Sequence, residues 1–247
     1  MNRIIGIHAV QALLDAGRAI DRVLIAKGAT GQRLQKIIED CRTRAISVRF
    51  EPRENLDRIA DRGVHQGVVA YAAKKSAARV EDLIELAEDD GVLLVADSVQ
   101  DPHNLGAIVR TAHAAGAVGV IVPERRAAGL TDTVAKAAAG ALEYLPVVKV
   151  TNINRTLDEL KEAGFWIYGF DERGDRAPWE ADFQGKTVIV VGAEGSGLHR
   201  MTAEKCDFLL RIPMQGEISS LNVSVAAGIA LFEVVRQRSV EPDDESE

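Results

Sequence analysis

Apolar residues in this chain fall into short uninterrupted runs separated by stretches of helical spacing, and the two alternate along most of its length. In the first third, runs at 22–26, 47–50 and 67–72 predict strands, and the spacing over 10–16, 32–41 and 55–61 predicts helices. The alternation resumes at Val80 with a helix to about Glu88. Strands are then predicted at 92–96, 119–122, 145–148, 166–170, 187–191 and 208–212. Between them come helices at 106–115 and 153–163 and an alanine-rich helix; a last helix covers 222 to about 238. Strands that are apolar throughout, instead of alternating with polar residues, are buried on both faces. The pattern therefore predicts an α/β fold with a mainly parallel sheet covered by helices on both sides.

The pattern breaks at 73–79, a small, basic stretch (Ala-Lys-Lys-Ser-Ala-Ala-Arg) with no apolar period. It divides the chain into a small α/β domain over 1–73, a linker over 74–85, and a larger α/β domain over 86–240. The stretch 241–247 carries five acidic residues and nothing to bury, and is read as a disordered tail.

Composition adds bounds. With 247 residues and 47% hydrophobic content there is enough apolar material for a buried core, yet no run approaches the roughly 20 residues of a membrane span. The start lacks the features of a secretory signal, so a soluble, cytoplasmic protein is expected. Cys41 and Cys206 stand far apart, with no second cysteine or histidine at ligand spacing. Neither a disulfide framework nor a metal site is expected, and both read as buried thiols. The net charge of −7 hides an asymmetry: residues 1–75 hold 14 Lys or Arg against 8 Asp or Glu, a balance of +6. A basic first third on an acidic protein suits a polyanion such as RNA as well as it suits an ordinary solvated surface.

Three segments begin where a predicted strand stops, the place where ligands bind in open α/β sheets. They are Asp101-Pro102-His103-Asn104-Leu105-Gly106 with Arg110-Thr111, then Gly192-Ala193-Glu194-Gly195-Ser196-Gly197, then Ile212-Pro213-Met214 with Ser219-Ser220-Leu221-Asn222-Val223-Ser224. The glycine loop is not a Walker phosphate loop, because Leu198-His199 stand where Lys and Ser or Thr belong. Its glycine order differs from the dinucleotide fingerprint, and Glu194 occupies the position where a hydrolase nucleophile elbow needs glycine. What remains is a loop whose backbone a ligand can approach closely.

In order and content these segments resemble the SpoU-type RNA 2'-O-ribose methyltransferases of the SPOUT class, with the resemblance running over residues 90–238. The first third, from Gly6-Ile7-His8-Ala9-Val10 to Val64-His65-Gln66-Gly67, is similar to the small L30e-like RNA-binding domain of one branch of that family. The resemblance implies a trefoil-knotted α/β domain with S-adenosylmethionine as cofactor. Backbone at Gly192, Ile212 and Leu221 would hold the cofactor, and a homodimer would form through the last helix. It implies 23S ribosomal RNA as partner and substrate, with a guanosine of the peptidyl-transferase P site as target, and no metal. Methylation of a tRNA ribose, or a non-catalytic RNA-binding assembly protein, are the alternatives.

Methyl transfer to a ribose hydroxyl requires a positioned nucleophile and an acceptor for its proton. The family assigns the base to the arginine matching Arg110. A guanidinium, however, keeps its proton near neutral pH, so Arg110 suits phosphate binding and stabilisation of the developing alkoxide better. Glu194 is the other candidate acceptor. Asn104, Ser220 and Asn222 complete the expected site, although Asn104 also suits a cap for a helix starting near 106, and Ser220 one for a helix starting near 222. No catalytic role is assigned to His8, His65, His103, His113 or His199. Basic residues available to RNA in the first third include Arg3, Arg18, Arg22, Lys27, Arg33, Lys36, Arg42 and Arg44, with Lys74 and Lys75 after it.

Overall fold

The computed structural model describes residues 2–61, 63–73, 77–125, 127–193, 195, 197–217 and 220–239. Glu194, Lys74, Lys75 and the acidic tail, all of which figure in the sequence reading, lie outside the described residues. Contacts divide the chain into two compact units: Met1–Ala77 with Ala139–Tyr144, and Ala78–Ala138 with Leu145–Glu247.

The first unit runs β1 (Asn2–Ile5), α1 (Ile7–Asp15), β2 (Ile20–Ala26), α2 (Gln32–Thr43), β3 (Ser47–Glu51), α3 (Arg53–Ala60), β4 (Val68–Ala72). Its sheet has the order β1-β4-β2-β3, parallel only between β2 and β3. Along β2 the side chains alternate between two cores. Val23 and Ile25 pack with Val10, Leu13, Leu34 and Ile37, while Leu24 and Ala26 pack with Leu56 and Val69. The edge strand β1 escapes the sequence reading because Asn2-Arg3-Ile4-Ile5 is too short to show a period.

In the second unit come α4 (Val80–Leu86), β5 (Val92–Ala96), α5 (Pro102–Ala114), β6 (Gly119–Pro123), α6 (Asp132–Ala137), β7 (Val147–Val150) and α7 (Ile153–Glu162). They are followed by β8 (Trp166–Phe170), β9 (Thr187–Val191), α8 (Arg200–Lys205), β10 (Phe208–Leu210) and α9 (Val223–Ser239). All six strands are parallel, in the order β10-β8-β9-β5-β6-β7. Every residue of the central strands β5 and β9 is buried, as their unbroken apolar runs require. The sheet grows outward from β5 through β6 to β7, and on the other side through β9 to β8 and β10. The order therefore reverses between β5 and β9, and ligands of such sheets bind beyond the carboxyl ends of the strands.

Boundaries differ from expectation for local reasons. Helix α5 begins at Pro102, a turn before the expected position, because Asp101 caps it by accepting from the His103 N–H at 2.7 Å and proline suits the first helical position. Asn104 therefore sits inside the helix and does not cap it. Pro146 delays β7 to Val147, and α4 occupies the whole second half of the span assigned to the linker. Both cysteines are free, Cys41 buried and Cys206 partly exposed, and burial pushes their thiols up to about 11 and about 12. Among the described residues no helix is long and apolar enough to cross a membrane.

Candidate active site

A cavity of about 830 Å³ opens at the carboxyl ends of β8 and β9, within the usual size range of small-molecule sites. Three segments build most of its wall: Gly192, Ala193, Gly195 and Gly197 after β9; Arg211 to Gln215 after β10; and Ser220, Leu221, Val223 and Ala226 where α9 begins. The sequence-predicted cofactor residues Gly192, Ile212 and Leu221 all line it, as does Ser220.

The glycine loop is pinched shut at its base. Ala193 and Gly197 exchange two backbone hydrogen bonds, each 3.1 Å. A Cβ on Gly192 would stand 2.1 Å from the Gly197 carbonyl oxygen, so glycine is the one residue that lets the strands of the loop close there. Gly197 has φ +62°, and a Cβ there would meet the Asp171 carboxylate at 2.4 Å.

Asp171 and Arg173 also line the cavity and were not singled out in the sequence. They follow β8, so the strand-end position was the available signal. The Asp171 side chain is 1% exposed and accepts from Arg173 Nε at 2.6 Å and Nη2 at 2.9 Å, and from the Leu198 N–H at 2.8 Å. Arg173 Nη2 also donates to the Leu198 carbonyl at 2.8 Å. Burial by itself would raise the Asp171 pKa, but the hydrogen bonds from the Arg173 side chain, the Leu198 N–H and the Arg173 N–H, with the arginine's charge, carry it below its ordinary value. The pair staples the outgoing end of the glycine loop to β8.

Beside the cavity, Asn222 Nδ2 donates to Asn104 Oδ1 at 3.0 Å. The same Asn222 is held by its own Oδ1, which accepts from the Ser224 N–H at 2.8 Å and from Ser224 Oγ at 2.6 Å. Asn222, not Ser220, thus performs the capping at the start of α9, and α9 runs against α5. Arg110 is six residues beyond Asn104, about 120° round the helix from it. It is exposed and has no carboxylate partner among the described residues. Asn104 and Asn222 are therefore brought into contact and Ser220 reaches the cavity wall, while Arg110 lines no part of that wall. Glu194 lies outside the described residues. Gly106, inside the first motif, has a packing role: a Cβ there would lie 2.4 Å from Ala137 Cβ on α6.

The cavity suits a compact cofactor with both apolar and charged parts, such as S-adenosylmethionine, since Asp171, Glu172, Arg173 and Arg211 share its wall with apolar side chains. Gly192 and residues 212–215 line it, and Leu221, Val223, Ala226 and Phe170 add apolar surface. Among the described residues there is no group of three or more His, Cys, Asp or Glu side chains that could hold a metal ion.

Comparison with known proteins matches residues 91–232 to the SpoU rRNA Methylase family and residues 3–78 to an RNA 2'-O ribose methyltransferase substrate-binding domain. The 23S rRNA (guanosine-2'-O-)-methyltransferase RlmB of Pseudomonas aeruginosa is 45% identical over 241 residues, spanning 96% of this chain and 97% of that protein. The structure of the SpoU methyltransferase AviRb from Streptomyces viridochromogenes in complex with AdoMet superposes with a TM-score of 0.80 at 27% identity, covering 96% of this chain and 90% of that one. The A. aeolicus TrmH/SpoU tRNA modifying enzyme, with a TM-score of 0.55 and 34% identity, covers 65% of this chain and 82% of its own.

Proposed function

The chain belongs to the SpoU methylase family of S-adenosylmethionine-dependent RNA 2'-O-ribose methyltransferases, and from that premise we propose that it methylates the 2'-hydroxyl of a guanosine in the peptidyl-transferase P site of 23S rRNA. The observation that carries the choice of rRNA is the first unit. Its match to a substrate-binding domain extends the likeness to rRNA enzymes over nearly the whole chain, whereas the tRNA-modifying relative covers 65% of it. In this reading the protein works in the cytoplasm as a homodimer, and its second unit has the family's knotted threading.

Gly192, Ile212 and Leu221 hold the cofactor, which supplies an electrophilic methyl group on a sulfonium. The rest of the work falls to side chains. Asn222, fixed by Ser224 and Asn104, presents an oriented amide beside the cavity, and Ser220 adds a hydroxyl to the wall. Arg110, exposed on α5, binds the phosphate next to the target ribose and stabilises the developing alkoxide; Glu194 takes the proton. A preset amide pair, with Asn104 buried and Asn222 exposed, costs little reorganisation when the nucleophile arrives, which is how such a site gains rate. A homodimer is supported by α9. Val223, Ala227, Ala230, Leu231 and Val234 are buried, yet Val225, Ile229 and Phe232 form a second apolar stripe that is 38–50% exposed.

The test is methyl transfer from labelled S-adenosylmethionine to 23S rRNA, with the modified nucleotide mapped. A single 2'-O-methylated guanosine in the P-site region is expected, and Arg110→Ala should keep cofactor binding while losing transfer. Methylation of tRNA in preference to rRNA, or turnover retained by the variant, would overturn the corresponding part of the proposal.

A further inference from the structure

A polar array at the carboxyl end of β5 has no part in the chemistry above. Asp97 and Ser98 follow the strand directly and are 4% and 6% exposed. Ser98 has φ +64°, a left-handed conformation that a residue with a Cβ seldom takes. Its Oγ is 3.1 Å from Asp97 Oδ1 and 3.1 Å from His199 Nε2, and the other Asp97 oxygen accepts from Thr202 Oγ1 at 2.8 Å.

Proton counting gives the array a direction. An ionised carboxylate only accepts, and a serine hydroxyl has one proton to give. Ser98 therefore donates to Asp97 and must accept from His199, which places the ring proton on Nε2. The sequence of donation is His199 to Ser98 to Asp97, with Thr202 donating from the far side. A hydrolytic triad runs the other way: there the imidazole accepts the serine proton and the carboxylate holds the opposite ring nitrogen. The resemblance to one is superficial, and the array serves position instead.

Its ends identify what it positions. His199 follows Leu198, whose N–H and carbonyl are held by Asp171 and Arg173 of the cavity wall. Ser98 stands three residues before Asp101, the cap of the helix that carries Asn104 and Arg110. Resting on the reading that methyl transfer takes place at this site, we propose that Ser98 and His199 are positioning residues. They link the loop closing the cofactor cradle to the helix that presents the ribose-side groups, so that the two halves of the site keep one spacing. Asp97 and Thr202 anchor the link. In-line transfer is sensitive to that spacing, because displacement by an ångström costs up to about a hundredfold in rate.

The experiment uses the full-length enzyme with 23S rRNA and S-adenosylmethionine. Ser98→Gly removes Oγ and leaves a residue at ease at positive φ; it should keep its melting temperature and hold KM for the cofactor within about twofold, while kcat falls about tenfold. His199→Ala should behave alike, and His199→Gln, whose amide nitrogen reaches about where Nε2 stands, should restore kcat. Wild-type kcat in Ser98→Gly, a change confined to cofactor KM, or equal rates for the two His199 variants would overturn the link. A Ser98→Gly protein that fails to fold leaves the His199 pair to decide. An inactive wild-type enzyme would instead strike the functional reading itself.

Discussion

At the scale of single residues, Gly106 and Gly192 belong to two of the three motifs, and the structure gives them different work. Gly106 lets α5 lie against α6, where a Cβ would strike Ala137 and the Val134 carbonyl; Gly192 lets the cradle close on itself. Asp171 is a third case, a charged side chain used to hold backbone. Its pKa is depressed in the folded protein, so the sign of its contribution is fixed: the stabilisation is present above the ordinary carboxylate value of 3.8 and is lost as pH falls through the lower folded value. Thermal unfolding followed from pH 7 downward should show the wild type losing this contribution only below that ordinary value. Asp171→Asn should be less stable than wild type at pH 7, and the difference should shrink in strong acid. A difference that grew on acidification would contradict the sign. That Gly192, Ile212, Ser220 and Leu221 share one cavity was legible because their segments begin where predicted strands stop. The Asn104 to Asn222 hydrogen bond was not, because 118 residues separate its partners and no local pattern reports such a contact. Asp171 and Arg173 are close in sequence, but their hold on Leu198, 27 residues beyond Asp171, was hidden for the same reason.

At the scale of elements, continuous apolar runs located the central strands well, since full burial on both faces leaves an unmistakable signature in β5 and β9. The ends of elements were less legible. The start of α5 depends on the cap at Asp101, and apolar spacing alone began the helix a turn late. The far end of α9 depends on side chains that reach distant backbone. Arg238 Nε and Nη2 donate to the Phe183 carbonyl at 3.0 and 2.8 Å and Nη2 to Thr187 Oγ1 at 3.1 Å, with further bonds to the Gly185 and Asp90 carbonyls. Gln237 adds a bond from its amide to the Ala181 carbonyl at 2.9 Å. Burial lowers the Arg238 pKa, yet a guanidinium remains charged at neutral pH, so this is a cationic cap on several carbonyls. Arg238→Ala should cost about 2–3 kcal/mol of stability by denaturant titration, the value of losing charged hydrogen bonds and leaving acceptors without a donor. A loss under about 0.5 kcal/mol, the size of an ordinary surface change, would show that the cap holds nothing.

At the scale of the whole molecule, the charge asymmetry read from the sequence survives with its membership revised. Arg18 is paired with Glu143 at 2.6 Å, Arg22 with Asp21 while stacking on Tyr71, and Arg44 is bonded to the Leu14 carbonyl. Lys27 and Lys36 have no carboxylate partner among the described residues, and Arg33 contacts His8 at 2.9 Å, so these three remain available for phosphate. Net charge was legible in the sequence, whereas its distribution between structure and binding was not. Assembly is testable by sedimentation. The wild type should be a dimer at micromolar concentration, and Phe232→Glu, which places a charge in the exposed stripe of α9, should shift it toward monomer with its secondary structure unchanged. A monomeric wild type would remove the dimer from the proposal.

The position of α9 has a consequence in time. Asn222, at the start of α9, follows Asn104 by 118 residues, and Arg238 stands near the far end of the same helix. A chain emerging from the ribosome can fold its first unit and much of the parallel sheet, since domains generally form in order of synthesis. It cannot join Asn222 to Asn104 until the 118 residues that follow Asn104 have been made. The Asn104–Asn222 contact therefore forms after the sheet beside it, a late event in the assembly of the second unit.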